Sequence, residues 1–189
     1  KKLKIRYLKG TGMLKVILLS LSAVVITGCS TYATDRYSPE TETVVELRDM
    51  NMQPISDGTF ESENPKTSIS CRAVGPIETP DGQTYSDFLR GAFRDELLLA
   101  EKYDRDSRIT IRGYIEEFTF SSVQGIWRIN LTMESSNGST MRVIEVYDYE
   151  TSFYGETACN QTAQALVPAV QNLVNTAVQS DEFPELVRQ

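Results

Sequence analysis

The chain has 189 residues, of which 19 are basic and 26 acidic, and its formal net charge is −7 because it contains no histidine. The absence of histidine excludes the Ser-His-Asp and Cys-His catalytic arrangements and removes the commonest transition-metal ligand. An acidic surface repels phosphate backbones and anionic head groups, which argues against a nucleic-acid partner.

The first 28 residues have the pattern of a secretory signal. Six basic residues and no acidic one precede an apolar run of 11 residues from Val16 to Ile26. As a helix rising about 1.5 Å per residue, this run would reach roughly 16 Å, against about 30 Å of bilayer hydrocarbon. We therefore interpret residues 1–28 as a signal peptide and exclude them from the fold, with translation starting at Met13 or upstream of it.

The end of this segment, "VITGC", resembles the lipobox of bacterial lipoproteins, in which small residues precede a cysteine that is acylated before cleavage. The resemblance implies that Cys29 is the lipid attachment site and the first residue of the mature protein, held stably by several acyl chains. Ser30, in place of an aspartate, implies an outer-membrane location, facing the periplasm. An ordinary cleaved signal and an uncleaved anchor with an incidental cysteine are the alternatives.

Removal of the signal would leave 161 residues with a net charge of −13, enough for one domain with its own core. Residues 29–42 are assigned to the acylated N-terminus and a flexible tether, because they are polar, without periodicity and interrupted by Pro39. Residues 43–189 are assigned to a single periplasmic α+β domain.

The two remaining cysteines, Cys71 and Cys159, form an even pair in a chain that is expected to enter an oxidising compartment. We therefore predict a disulfide between them. Two buried free thiols are the alternative.

The N-terminal part of the domain is predicted to contain two strands separated by a loop. Residues 43–50 have the apolar content of a first strand. Residues 51–67 contain prolines, a glycine and scattered acids, which are typical of a long surface loop. Residues 67–74 form the second strand candidate.

The first predicted helix begins after Thr84. Asp87 stands three residues later, at the spacing of a capping box, and apolar residues then recur at helical intervals. We expect this helix to end near Tyr103.

Three antiparallel strands are predicted next, over residues 108–120, 125–133 and 140–153. The Glu116–Glu117 pair is one place where the first strand is expected to be interrupted. Asn137-Gly138 predicts the second hairpin, because both residues tolerate positive φ.

A last helix is predicted over residues 160–180, with Pro168 marking a kink or a restart. One side of this helix carries only neutral amides. This amide side is either solvated or a partner surface that avoids burying charge. Its members are Gln161, Gln164, Gln171, Asn172, Asn175 and Gln179.

The element order predicts an α+β fold: a mostly antiparallel sheet with a three-strand meander and two helices packed on one face. Over residues 43–180 this order resembles the periplasmic domains of envelope accessory lipoproteins, including lipopolysaccharide-assembly, synthase-activator, transport-auxiliary and YajG-like types. The resemblance implies a lipid-anchored protein that contacts a membrane assembly, transport or cell-wall machine.

Nothing in the sequence predicts an enzyme, a cofactor or a metal site. The remaining catalytic chemistry is a pair of carboxylates across a cleft, for a hydrolase acting on peptidoglycan. Solvated positions on the meander explain the candidate acids more simply: Glu116, Glu117, Glu145, Asp148 and Glu150.

The predicted function is therefore protein–protein contact, and the alternative is a binding module for a small apolar ligand or lipid. The candidate partner surface consists of four aromatic residues near the last strand, Tyr147, Tyr149, Phe153 and Tyr154. Sheet packing is the alternative role for these four. A ligand module would need an apolar cavity of about 300 Å³ or more.

Overall fold

A computed structural model describes residues 31–189, so Cys29 and the predicted signal peptide lie outside the described residues. This part of the chain is α+β and contains two mixed sheets, which corrects the prediction of a mostly antiparallel sheet. The strands are β1 (Tyr32–Ala33), β2 (Ser56–Ser62), β3 (Ser68–Cys71), β4 (Gly75–Glu78), β5 (Thr110–Ser121), β6 (Ile126–Ser135) and β7 (Thr140–Asp148). The helices are α1 (Thr41–Asp49), α2 (Tyr85–Leu99), α3 (Gly155–Gln164), α4 (Leu166–Gln179) and α5 (Phe183–Leu186), with a 3₁₀ turn at Pro80–Gly82.

Each sheet combines parallel and antiparallel pairing. The smaller sheet has the order β1-β4-β3, in which β1 is parallel to β4 and β3 is antiparallel to it. The larger sheet has the order β2-β5-β6-β7, and β2 is parallel to β5. Both parallel pairs bring together segments that are distant in sequence, and short-range patterns do not reveal such pairs.

The meander of β5, β6 and β7 is confirmed, although its third strand ends at Asp148 rather than at Phe153. Alternate residues of β6 are buried, from Trp127 to Met133, while the residues between them are more exposed. The indole N–H of Trp127 donates to the carbonyl of Thr162 at 2.9 Å, so the largest buried side chain also has its polar atom satisfied. The pairing of β5 with β6 shifts between Ile115 and Glu117, at the acidic pair where an interruption is predicted.

The second hairpin is also confirmed, but its asparagine has a different role from the predicted one. Only Gly138 has a positive φ in this turn, at 92°. The Asn137 amide instead donates to three carbonyl oxygens at the end of the chain, those of Glu185, Leu186 and Arg188. Asn137 therefore ties the C-terminal segment to the hairpin.

The predicted first strand is wrong, because residues 43–50 belong to helix α1. Thr43, Val44 and Leu47 are buried, at intervals of one and three residues that suit one face of a helix. The Glu40 carboxylate accepts from the N–H of Thr43 at 2.9 Å and caps the first turn.

The predicted loop over residues 51–67 is also wrong, because it contains β2. The sequence of β2, "SDGTFES", has little apolar content, and Phe60 is its only large buried residue. A Cβ added to Gly113 of β5 would lie 2.7 Å from the Phe60 ring, so the close approach of β2 to β5 needs glycine there.

The first predicted helix is confirmed as α2, although it ends at Leu99 rather than near Tyr103. The Thr84 hydroxyl accepts from the N–H of Asp87 at 3.0 Å and donates to the Asp87 carboxylate at 2.7 Å. The predicted capping pair is therefore present.

The last predicted helix begins earlier than expected, at Gly155, and is divided into α3 and α4 at Ala165. Pro168 is the third residue of α4, so the restart precedes it. A proline is tolerated in the first helical turn because the backbone N–H groups there have no partner within the helix.

The core joins α2, α4 and the larger sheet. Helix α2 contacts β2, and helix α4 contacts β7. Both helices meet the sheet around a void of about 10 Å³, which is lined by Phe60, Leu89, Phe93, Leu131, Met133, Leu173, Val174 and Ala177. No helix within residues 31–189 is long and apolar enough to cross a membrane.

The sulfurs of Cys71 and Cys159 lie 2.07 Å apart, at disulfide distance, as the sequence analysis predicts. The bond links β3 of the smaller sheet to α3 and closes a loop with a sequence separation of 88 residues. Both cysteines are buried, so the link lies inside the core.

Replacing both cysteines with serine should lower the free energy of unfolding by about 2–5 kcal/mol, because the unfolded chain loses a long-range constraint. Urea unfolding of the variant and the parent measures this difference. On electrophoresis without reductant, the parent should also migrate faster than its reduced form. Equal mobility and equal stability would contradict the bond.

Candidate functional site

The loop between β7 and α3 presents two adjacent aromatic side chains to solvent. Phe153 is 94% exposed and Tyr154 is 75% exposed. Their ring centroids are 6.1 Å apart in an edge-to-face arrangement. We call these two residues the aromatic tip. Both side chains therefore present most of their apolar area to solvent.

The Arg72 guanidinium holds this loop through its main chain. Nη1 donates to the carbonyl oxygens of Ser152 and Phe153, at 3.2 and 3.0 Å. Nε and Nη2 donate to the hydroxyl and the carbonyl oxygen of Ser122 in the β5–β6 turn. Among the described residues, no carboxylate forms an ion pair with Arg72. The guanidinium therefore links the loop after β7 to the β5–β6 turn through hydrogen bonds.

Arg72 occupies an uncommon backbone conformation next to the disulfide. Arg72 and Ala73 have φ values of 45° and 53°, in the left-handed region that non-glycine residues seldom adopt. Cys71 precedes them and is bonded to Cys159 in α3, the helix that follows the aromatic tip. The loop is thus held at its base by the disulfide and along its length by Arg72.

The structure divides the four predicted surface residues into two pairs. Tyr147 pairs with Trp127 across the strands and is half-buried against the core. Tyr149 shares a 2.8 Å hydrogen bond with the Thr162 hydroxyl, and burial raises its pKa. Only Phe153 and Tyr154 are exposed, so the four do not form one surface. The alternation of buried and exposed side chains along β7 was the sequence signal that Tyr147 faces the core, unlike the exposed Phe153 and Tyr154.

A buried acid that the sequence analysis did not single out, Glu96, lies on α2. Its Oε1 accepts from the Tyr37 hydroxyl at 2.5 Å and from the N–H of Glu40 at 2.7 Å. Within the described residues, Oε2 has no hydrogen-bond partner. Burial raises the pKa of Glu96, and burial together with the Glu96 contact raises the pKa of Tyr37.

Glu96 is fully buried, so its carboxyl group cannot reach a substrate and instead connects the N-terminal segment to α2. Helical spacing from Phe93 was the sequence signal for its burial, since position 96 lies three residues further on the same face. This contact, together with the pairing of β1 with β4, places residues 32–40 against the domain, within the range that the sequence analysis assigns to a tether.

A second buried acid, Asp57 of β2, is fully partnered. Its carboxylate accepts from Arg90 Nε at 2.6 Å and from the Tyr103 hydroxyl at 2.8 Å, and Arg94 Nη1 lies 3.6 Å away. This network joins β2 to α2 and explains how a strand of low apolar content is held. Its role is structural, because every oxygen of the acid is engaged within the fold.

The acids considered for carboxylate chemistry lie on both faces of the sheet, with Glu116 on the open one. Glu116 accepts from Asn130 and Thr132 at 3.1 and 2.8 Å and pairs with Arg142. Burial raises the pKa of Glu145, which lies on the other side of β7. The described residues contain no group of three or more metal-ligating side chains.

The surface depressions are open and mixed in character. One of them measures about 420 Å³ and combines Met50 and Met52 with the charged Glu185 and Arg188. The apolar void in the core holds only about 10 Å³. An enclosed apolar cavity of about 300 Å³, which a ligand module would need, is not among those found in residues 31–189.

Comparison with known proteins adds no identification: no family model, no curated protein and no solved structure matches the chain.

Arg72→Lys should loosen the aromatic tip without unfolding the domain. A lysine ammonium keeps the charge but cannot span the carbonyl oxygens of two loops. Hydrogen bonds from a charged group are worth about 1.5–3 kcal/mol, so amide exchange at Tyr154, whose N–H donates to the Ser152 hydroxyl at 3.1 Å, should accelerate about tenfold or more. Mass spectrometry of hydrogen exchange measures this rate.

Arg112→Lys is the matched control, since Arg112 lies on the exposed sheet face and pairs only loosely with Glu134, at 3.5 Å. Unchanged protection of the Tyr154 amide in Arg72→Lys would show that the guanidinium does not hold the loop.

Glu96→Gln should change the dependence of stability on pH. A pKa raised in the folded state stabilises the fold below the unfolded value of about 4.3, and this contribution is lost as the pH rises through the folded pKa. Glutamine keeps an acceptor for Tyr37 but does not titrate. The difference in unfolding free energy should therefore move in favour of the variant as the pH rises from about 4.3 through the raised pKa of Glu96.

Urea unfolding at several pH values measures this shift, with Glu63→Gln at an exposed position as the control. If the difference in unfolding free energy between variant and parent does not change with pH, the fold does not disfavour the charged form of Glu96.

Proposed function

We propose that this protein is a non-enzymatic, lipid-anchored accessory protein of the bacterial cell envelope. It acts by protein–protein contact with a membrane assembly, transport or cell-wall machine. The lipobox resemblance at Cys29 supports the anchor, and by that resemblance the protein sits in the outer membrane facing the periplasm. The aromatic tip is the contact site.

The exposure of Phe153 and Tyr154 on a held loop is the observation that carries this function. Aromatic side chains supply much of the energy of protein interfaces, because they bury a large area while losing few rotatable bonds. Arg72 and the nearby disulfide fix the loop before binding, so less conformational entropy is lost when a partner binds.

The layer arrangement fits a docking domain. In this interpretation α2 and α4 cover one face of the larger sheet, and the opposite face keeps the polar ladder around Glu116. The helices close the core on the covered side, so the domain serves as a rigid support that presents its loops. The alternative function, binding of an apolar ligand or lipid, would need space that the small core void does not provide.

Replacing Cys29 with alanine should release the protein from membrane fractions, because no acyl chain would then be attached. The measurement is the fraction of protein that sediments with membranes after cell lysis. Ser30→Ala is the control and should stay with the membranes. Unchanged sedimentation of the Cys29 variant would contradict the anchor.

Replacing both Phe153 and Tyr154 with alanine should remove most of the contact with the partner protein. Loss of an aromatic hot spot costs about 2 kcal/mol or more, so the yield of the crosslinked complex in intact cells should fall at least tenfold. The control replaces Leu98 and Leu99 with alanine and should keep the yield of the complex. These two leucines are 52% and 54% exposed at the end of α2.

An equal loss of the complex in both double variants would show that the tip has no special role. Binding of the tip to neutral lipid vesicles, with no crosslinked protein, would assign it to the membrane instead.

A further inference from the structure

Strand β7 lies at the edge of the larger sheet and leaves one row of backbone groups unpaired. The N–H of Tyr149 donates to Gly125, and the N–H of Ser135 donates to Ser139. Since hydrogen-bonded pairs alternate along an antiparallel ladder, the odd-numbered residues of β7 face β6. The N–H and C=O groups of the even-numbered residues, from Thr140 to Asp148, therefore point away from the sheet.

This edge has few of the features that usually prevent strand addition, and the inward-pointing charge of Glu145 is the one that it keeps. Its pairing with β6 continues over nine residue pairs with no shift, and its sequence, "TMRVIEVYD", contains no lysine, proline or glycine. The opposite edge, β2, is interrupted by a shift between Asp57 and Phe60. On β7, Ile144 and Val146 are 59% and 49% exposed on the solvent face. A long, regular edge with apolar residues at its centre is a template for another strand.

We propose that β7 pairs antiparallel with β7 of a second copy of this chain, so that two four-stranded sheets join into one. In the pairing that we infer, Ile144 lies opposite Val146 of the second copy, and Arg142 lies opposite Asp148 of the second copy. All of these are even-numbered residues, so the free backbone groups meet one another. The two-fold axis repeats each contact. This inference is independent of the proposed function, because it does not involve the aromatic tip.

Charge complementarity favours a second copy of this chain as the partner of the β7 edge. Asp148 forms no ion pair within the described residues. Arg142 uses Nε for Asn130 and Nη2 for Glu116, and its Nη1 donates to no acceptor in residues 31–189. Each end of the paired strands therefore places a free carboxylate opposite a guanidinium nitrogen, with apolar pairs between them.

The inferred pairing also places Glu145 opposite Glu145 of the second copy, at the two-fold axis and on the inner side of the sheet. Like charges in this position oppose association. A shift by one residue on each strand would avoid this contact, but it would place Ile144 opposite itself and separate Arg142 from Asp148. The two pairings can therefore be distinguished by the residue at the two-fold axis, which is Glu145 in the inferred pairing and Ile144 in the shifted one.

Sedimentation velocity of the full chain in a neutral detergent tests the proposal. The parent protein should be a dimer, and Val146→Lys should weaken the dimer at least tenfold, because each dimer would bring two lysines into the apolar pairs. Val45→Lys is the matched control, since Val45 is 47% exposed on α1, away from the edge. A monomeric parent at about 100 µM, or equal weakening by both variants, would overturn the proposal.

Cysteine substitution decides the pairing. Glu145→Cys should form an intermolecular disulfide under mild oxidation and give a dimer band without reductant, whereas Ile144→Cys should not. A dimer band from Ile144→Cys alone would overturn the Arg142–Asp148 pairing. Crosslinking of Glu145→Cys only to a different protein would assign the edge to a foreign strand and overturn the second-copy proposal.

Discussion

The Cys71–Cys159 bond is the constraint on which the candidate site depends. The smaller sheet is built from short strands, of which β1 has two residues and β3 and β4 have four each. Such a sheet is marginal by itself, and the disulfide attaches it to α3. Because Arg72 follows Cys71 directly, the same bond places the guanidinium that holds the loop after β7.

Two buried carboxylates connect the other parts of the fold in different ways. Asp57 is surrounded by Arg90, Arg94 and Tyr103, so its charge is compensated and joins β2 to α2. Glu96 accepts from a hydroxyl and a backbone N–H without any cation, and burial raises its pKa. Asp57 is therefore held by cations, whereas Glu96 joins the N-terminal segment to α2 in a site where burial disfavours its charged form.

The surface has two regions with unusual exposure, and they differ in physical character. The aromatic tip is compact, held at its base and rich in area that a partner can bury. The edge of β7 is extended and combines apolar side chains with unpaired backbone groups, which suit a strand rather than a pocket. The aromatic tip lies on the loop that follows β7, whereas the edge is the strand itself.

The sequence by itself determined the elements in which local patterns and burial agree. These are the capped helix after Thr84, the three-strand meander with its interruption at Glu116–Glu117, the Asn137-Gly138 hairpin and the pairing of Cys71 with Cys159. Tertiary structure alone decided the rest. Strand β2 is held by Asp57 and by parallel pairing with β5, and "TVVELRDM" becomes a helix because Glu40 caps it and Leu47 reaches the core. Tertiary structure also separated Tyr147 and Tyr149 from the aromatic tip. The burial of each ring depends on long-range contacts, and no local pattern encodes such contacts.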